Sequence, residues 1–489
     1  MPDLYIDGAW VPATGGGTRD TTNPFDGSVV QTVDEAGADD AVAAVEAARR
    51  AFDTGPWPRT PIVERAATLT RIADLLQRDR EQVARIETLD TGKTLVEARG
   101  DVDDVAAVFG WFAEQALSQR DRVVETGNPD VYSRVLREPT GVCSLIGPWN
   151  YPLLQISWKV APALVAGCTS IVKPSEVTPL STIHLVRLVE EAGVPAGVLN
   201  LVLGAGSAVG PTLVEHDAVD LVSFTGGLAT GRGILRAAAQ TVKRTAVELG
   251  GKNPHIVFAD VDFDTVVDQV LTGVFLHAGQ VCSSGTRLIV ERSIADDLVA
   301  AVAARAQRIV LGNGLDEATE SGPLVSAEHR AKVEEYVRVG TAEGARIVTG
   351  GGRPEDPALA RGYFYLPTIF DDCTADMRIV REETFGPILT VERFDTEQEA
   401  LALGNDTEYG LAGAVWSDDE ARGDRVAAGL RHGTVWINDF GYYVPQAEWG
   451  GFKRSGNGRE LGVAGLEEYQ ELKHVWRNTR PGPAGRFTS

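Results

Sequence analysis

The chain is short of cysteine, histidine and positive charge, and it has no long apolar run. Four cysteines (Cys143, Cys168, Cys282 and Cys373) are spread over 489 residues, and none form a C-x-x-C pair. That excludes a disulfide framework of the small secreted kind and points to a reduced, cytoplasmic chain. The seven histidines include no H-x-x-x-H pair, so the spacing of a zinc site is missing. Lys and Arg total 46 against 69 Asp and Glu, a formal net charge of −23. Neutralising phosphates takes clustered cations, and no cluster appears; neither nucleic acid nor an anionic membrane surface is expected as a partner. The longest uncharged stretches, Pro139–Trp158 and Ala192–Val214, are interrupted by Pro, Gly and polar side chains, so no transmembrane helix is expected. The opening Met1-Pro2-Asp3-Leu4-Tyr5-Ile6-Asp7 has no basic stretch before an apolar one, and no signal peptide is expected.

Two nucleotide motifs also fail on spacing. Gly204-Ala205-Gly206-Ser207-Ala208-Val209 puts valine where G-x-G-x-x-G needs its third glycine, and Glu87 stands where a P-loop ending at Gly92-Lys93-Thr94 needs its first. A phosphotransferase reading loses its only support.

What remains is ordinary for a folded globular chain: 43% hydrophobic and 24% charged residues. At about 150 residues per domain, the length suggests two to four domains. Leu4 to Pro12 reads as a hairpin turning at Asp7-Gly8. Helical spacing follows over Asp39–Asp53, Pro61–Leu89 and Asp101–Leu117. Then short apolar strands alternate with helices: strand 141–147, helix 153–166, strand 169–173, helix 178–192, strand 199–203, helix 208–216, strand 221–224, helix 229–240 and strand 245–249. A second series places strands at 255–258, 286–290, 347–349, 388–394, 412–416 and 434–437, with a boundary near Gly250-Gly251. Such alternation predicts an α/β chain with parallel sheets covered on both faces. Residues from Arg477 to Ser489 read as a loose terminus.

Three places could carry chemistry. Cys282 lies in Gly279-Gln280-Val281-Cys282-Ser283-Ser284-Gly285, a crowd of small and polar residues just before a strand. Locally it reads as a reactive thiol or as a structural cysteine. Glu248 closes an apolar strand before Gly250-Gly251; desolvation there suits a general base, while an edge carboxylate facing water is the plainer reading. Asn150 sits in Pro148-Trp149-Asn150-Tyr151-Pro152, where a fixed amide could donate to an oxyanion or simply make a turn.

Taken with Lys173-Pro174-Ser175-Glu176, Phe224-Thr225-Gly226, Glu248-Leu249-Gly250-Gly251-Lys252 and Glu382-Glu383-Thr384-Phe385-Gly386-Pro387, these motifs resemble, in order, the NAD(P)-dependent aldehyde dehydrogenase superfamily. The likeness runs from about residue 5 to residue 475. It implies a Rossmann-like NAD-binding domain (1–121 and 141–250), an α/β catalytic domain (251–455), and a β-type oligomerisation arm with the C-terminal segment (122–140 and 456–489). It also implies a homodimer or homotetramer.

The resemblance assigns Cys282 as nucleophile, Asn150 and a backbone N–H as oxyanion donors, and Glu248 as the base that activates water for thioester hydrolysis. Trp149, Lys173, Ser175, Glu176, Gly226, Gly227, Gly231, Leu249, Glu383 and Phe385 become cofactor contacts. Glu176 on the adenosine ribose would repel a 2′-phosphate and favour NAD. Gly227 and Ala229 depart from the usual serine and glutamate, so a hydroxyl contact to the pyrophosphate is lost. Within the superfamily the chain is most similar to the betaine-aldehyde and aminoaldehyde branch. That branch implies a relay through Lys159 and Glu460, for which a buried strut is the alternative, and potassium at the carbonyls of Lys453 and Gly456. It further implies a box for a cationic small-molecule aldehyde from Tyr151, Trp158 and Trp449, with Leu276 where tryptophan is usual and Glu114 at the mouth.

Overall fold

The computed structural model describes residues 2–484 and Arg486. Its largest sheet has eight strands, in the order Gly456–Asn457, Arg244–Glu248, Leu221–Thr225, Val142–Ile146, Thr169–Lys173, Leu199–Leu201, Leu4–Ile6, Ala9–Val11. The inner five are parallel, and the flanking strands join antiparallel. Strand Val142–Ile146 comes first in the chain among those five, yet it lies at their centre. The strand order therefore reverses between it and Leu221–Thr225. Parallel sheets open a crevice at such a reversal, at the carboxyl ends of the strands. Trp149 and Asn150 leave one of these strands, and Gly226 and Gly227 leave the other.

A second sheet of seven strands runs Arg346–Thr349, Thr368–Asp371, Ile388–Phe394, Arg287–Glu291, Pro254–Val257, Ala412–Trp416, Thr434–Ile437, all parallel except the first pair. A third sheet pairs Gln470–Asn478 with Val131–Pro139 and Arg122–Val123. Hairpin Thr18–Thr22 with Val29–Asp34 forms the fourth. No helix among the described residues is long and apolar enough to cross a membrane.

The α/β alternation read from the sequence is present, with three corrections. The stretch 61–89 is two helices, Ile62–Arg78 and Arg80–Thr91. Asp79 breaks it: its backbone leaves the helical region while its carboxylate takes His184 at 3.0 Å and Arg78 at 2.7 Å. The next helix begins at Leu95 rather than Asp101, because Thr94 and Glu97 cap it reciprocally. The C-terminal strand continues to Asn478, and Thr479 N–H donates to the Asp130 carbonyl; of the terminus expected to be loose, Gly485 and residues 487–489 lie outside the described residues.

Helix Pro152–Ala166 matters most for the site, since every residue in it is buried. Its N-terminus follows Asn150 and Tyr151, and its middle brings Lys159 into the interior. A buried ammonium must be paired, or it gives up its charge.

Candidate active site

Cys282 is presented by a loop whose backbone is strained and pinned. His277, Ala278 and Gly279 all have left-handed φ, at 48°, 53° and 73°. The first two carry side chains, so surrounding contacts must impose this shape. Glu97 accepts the His277 N–H at 2.7 Å, Gln280 Nε2 donates to the His277 carbonyl at 3.0 Å, and Gln280 Oε1 accepts from Val325 N–H at 2.8 Å. Asn253 Nδ2 donates to the carbonyls of Cys282 and Ser284, both at 3.0 Å. A Cβ on Gly279 would fall 2.2 Å from the Gly386 carbonyl oxygen, so this loop and the one carrying Glu383 and Phe385 touch backbone to backbone. Burial, Glu383 and Glu248 push the Cys282 thiol up to about 12. At neutral pH it needs a base or a nearby positive charge to react.

Asn150 is buried, and its Nδ2 donates to the Gln280 carbonyl at 2.8 Å. One amide hydrogen thus holds the side chain in place and leaves the other to serve an oxyanion. Glu248 is 3% exposed, and neither of its oxygens has a partner among the described residues. Burial and neighbouring Glu460 raise its carboxyl well above the usual range, against Lys159 and Arg459. Lys159 Nζ pairs closely with Glu460 and donates to Thr225 Oγ1 at 2.8 Å. Glu460 in turn shares two backbone hydrogen bonds with Trp449, at 2.7 and 2.8 Å, which ties the ion pair to the aromatic pocket.

A groove of about 950 Å3 follows the crevice to Cys282. Of the cofactor residues expected from sequence, Trp149, Lys173, Ser175, Glu176, Gly226, Gly227, Leu249, Glu383 and Phe385 line it. Gly231 does not; it is buried, and its missing Cβ lets Leu249 pack where that atom would be 2.5 Å away. The groove fits a dinucleotide. At one end Glu176 meets Lys173 Nζ at 3.3 Å and Gly206 N–H at 3.4 Å, an acid and a base set for ribose hydroxyls. In between, helix Leu228–Ala238 starts at Gly227 with no side-chain cap, leaving N–H groups free for an anion. At the far end Glu383 accepts the Gly251 N–H at 3.1 Å, its carboxyl raised to about 7 by burial. Trp149 stands 5.2 Å from Phe385, ring to ring.

Outside the groove's lining, Trp158 and Trp449 converge at 6.3 Å. Sequence reasoning missed the third aromatic there: Tyr443 lies 4.9 Å from Trp449 and 6.0 Å from Trp158, and its hydroxyl bonds Ser283, next to Cys282. The aromatic doublet Tyr442-Tyr443 after strand Thr434–Ile437 was the available signal. Gln280 and Asn253, which pin the loop, also went unassigned. Tyr151 is differently engaged. Lys93 Nζ sits 3.9 Å over its ring and His277 packs edge-on at 5.5 Å. Burial works against a charge on Lys93, but Asp101 and Glu87 outweigh it and keep the ammonium charged. Leu276 does not join the box. It is 41% exposed and lines a separate surface pocket with Asp268, Phe275 and Arg305. Glu114 is exposed on helix Leu95–Ser118. Lys453 Nζ donates to the carbonyls of Asn405 and Thr407, both at 3.1 Å, and Gly456 pairs with Glu248 across the first sheet.

Comparison with known proteins agrees with this layout. Residues 10–475 match the aldehyde dehydrogenase family. The chain is 57% identical to betaine aldehyde dehydrogenase of Bacillus subtilis (strain 168) over 486 residues, 99% of each chain. It is 43% identical to aminoaldehyde dehydrogenase 2 of Zea mays over 491 residues, 99% of this chain and 97% of that one. A crystal structure of betaine aldehyde dehydrogenase from Staphylococcus aureus in complex with NAD+ superposes with a TM-score of 0.98 at 51% identity, covering 99% of this chain and 96% of that one. With the match spanning nearly the whole chain, the chain belongs to the aldehyde dehydrogenase family.

Proposed function

We propose that the protein oxidises an aldehyde to its carboxylic acid with NAD, and that the aldehyde carries a quaternary ammonium group: betaine aldehyde giving glycine betaine, or a related ammonium aldehyde. The carrying observation is that a dinucleotide groove and an aromatic pocket meet at Cys282. The relatives named betaine aldehyde and aminoaldehyde dehydrogenases support the substrate class.

In this reading Cys282 attacks the carbonyl carbon as a thiolate, forming a thiohemiacetal. The free N–H of Asn150 and the backbone N–H of Cys282 hold the oxyanion. NAD, when bound, supplies the hydride acceptor that turns the adduct into a thioester. Glu248 then takes a proton from the water that releases the acid. An ionised carboxylate without hydrogen-bond partners in a dry site is a stronger base than one in water. Lys159 and Glu460 stand behind Glu248 to pass that proton on. Glu176, kept ionised by Lys173 and backbone N–H groups despite burial, disfavours NADP.

A second reading is oxidation of neutral aldehydes. Tyr151 favours it, because one ring face already carries Lys93, and so does Leu276, which leaves the box without its fourth aromatic. NADH formation across an aldehyde panel, with Cys282→Ala as the blank, tests the enzyme reading; no Cys282-dependent NADH with any aldehyde would overturn it.

The division into NAD-binding, catalytic and arm segments stays part of the proposal, as do a cytoplasmic location and potassium at the Lys453 and Gly456 carbonyls. A homodimer or homotetramer is supported by Leu472 and Trp476, exposed on one face of the three-stranded sheet, since exposed apolar side chains on one sheet face favour a partner.

A further inference from the structure

The turn Gly92-Lys93-Thr94 joins helix Arg80–Thr91 to helix Leu95–Ser118. The loop that follows residue 310 clamps it: Leu95 N–H donates to the Gly314 carbonyl at 2.8 Å, and a Cβ on Gly322 would strike the Gly92 carbonyl. The same turn meets both arms of the oxyanion site. On one arm, Lys93 Nζ is held by Asp101 and by Glu87 at 3.5 Å, and it sits 3.9 Å over the ring of Tyr151, the neighbour of Asn150. On the other arm, Glu97 divides its two oxygens. Oε2 accepts Thr94 N–H at 2.7 Å and Thr94 Oγ1 at 2.8 Å, which closes the cap, while Oε1 accepts the His277 N–H at 2.7 Å.

His277 opens the left-handed run His277, Ala278, Gly279. Residues with side chains persist in that region only while surrounding contacts hold them there. Further along the same loop, the Gln280 carbonyl takes Asn150 Nδ2 at 2.8 Å, two residues before the N–H of Cys282. A slackened loop therefore moves one oxyanion donor relative to the other. We propose that Glu97 is a positioning residue for the oxyanion site: by fixing the His277 N–H, it sets the spacing of the Asn150 amide and the Cys282 N–H. The inference rests on the aldehyde-oxidising reading above. Glu97 does not line the dinucleotide groove, so its loss should slow acylation and leave cofactor binding alone.

The test is single-turnover NADH formation, with enzyme in excess over aldehyde and NAD saturating. NAD affinity from protein fluorescence and thermal melting are read on the same samples. In Glu97→Ala and Glu97→Met, both helix-forming replacements, the single-turnover rate should fall about 10–100-fold, since a misplacement of about 1 Å costs about 10²-fold. Their NAD affinity should match the parent's. Thr94→Ala is the control. It removes the cap hydroxyl and should lower the melting temperature too, yet it leaves Glu97 Oε1 on the His277 N–H, and its rate should match the parent's. Glu97 variants with the parent's rate would overturn the proposal. So would Thr94→Ala slowed as much as they are, because the loss would then follow helix stability. Weakened NAD binding in the Glu97 variants would also overturn it, since the effect would reach beyond the oxyanion site. A parent that forms no Cys282-dependent NADH overturns the enzyme reading itself, so the two failures are distinguishable.

Discussion

Replacing Glu248 by glutamine keeps the shape of the side chain and removes both its charge and its basicity. Its environment sets three consequences. First, thioester hydrolysis loses its base, and steady-state turnover should fall by about 10²–10⁴-fold, the usual worth of a positioned proton acceptor. Second, acylation should survive. After burial, Glu383 and Glu248 are what raise the Cys282 thiol, so removing one of these carboxylates lowers the thiol toward neutrality. The burst of NADH should then persist and reach its full rate at lower pH than in the parent. Third, stability should change with pH in a defined direction. The fold raises the Glu248 carboxyl above its ordinary 4.5, so the folded state favours the protonated form. The stabilisation that protonation lends is complete below about pH 4.5 and is lost as pH rises toward the folded-state value. The parent is correspondingly less stable at higher pH. Glutamine bears no such cost, so the variant should melt higher than the parent at neutral and alkaline pH and similarly at pH 4. Stopped-flow absorbance of NADH and thermal melting across pH read all three. Loss of the burst would mean that Glu248 also deprotonates Cys282, and the assignment of separate roles would fail.

Glu176→Gln should narrow the preference for NAD over NADP, because a 2′-phosphate beside the parent carboxylate costs about 1–4 kcal/mol depending on local dielectric; equal kcat/KM of the parent with both cofactors would show that Glu176 does not face the ribose. Betaine aldehyde should outcompete 3,3-dimethylbutanal, nearly its shape without the charge, and Trp449→Ala should shrink that advantage by about 0.5–2 kcal/mol, the worth of one aromatic face; equal kcat/KM for the two aldehydes would leave an apolar tunnel. Gly227→Ser should tighten NAD binding by about 1 kcal/mol through a hydroxyl at the pyrophosphate. The backbone there is extended, φ −74° and ψ 147°, and a Cβ would meet nothing within 4 Å, so unchanged affinity would place the phosphates away from this helix end.

Several residues were legible because their signals are local. The strand–helix alternation follows from apolar runs and their period, and it put Cys282, Glu248 and Asn150 at the ends of elements, where side chains can reach a crevice. The capping box at Thr94 and Glu97 was equally local, though it went unread, and the helix start shifted with it. Strands Thr18–Thr22 and Thr368–Asp371 carried weaker signals: the first is polar throughout, and the second is only four residues long.

The amino-acid sequence alone settled the α/β alternation, the order of the motifs, and the residue types that can act as nucleophile, amide donor and base. Tertiary structure decided which side chains are dry and what they face. Lys159 meets Glu460 across 301 residues, and Tyr443 reaches Ser283 across 160. Leu276 lies outside the aromatic pocket, exposed on the surface beside Asp268 and Arg305. The reason is physical. Period and turn chemistry depend on neighbours in the chain, whereas desolvation, ion pairing and the fit of an aromatic wall depend on neighbours in space, which a linear pattern does not record.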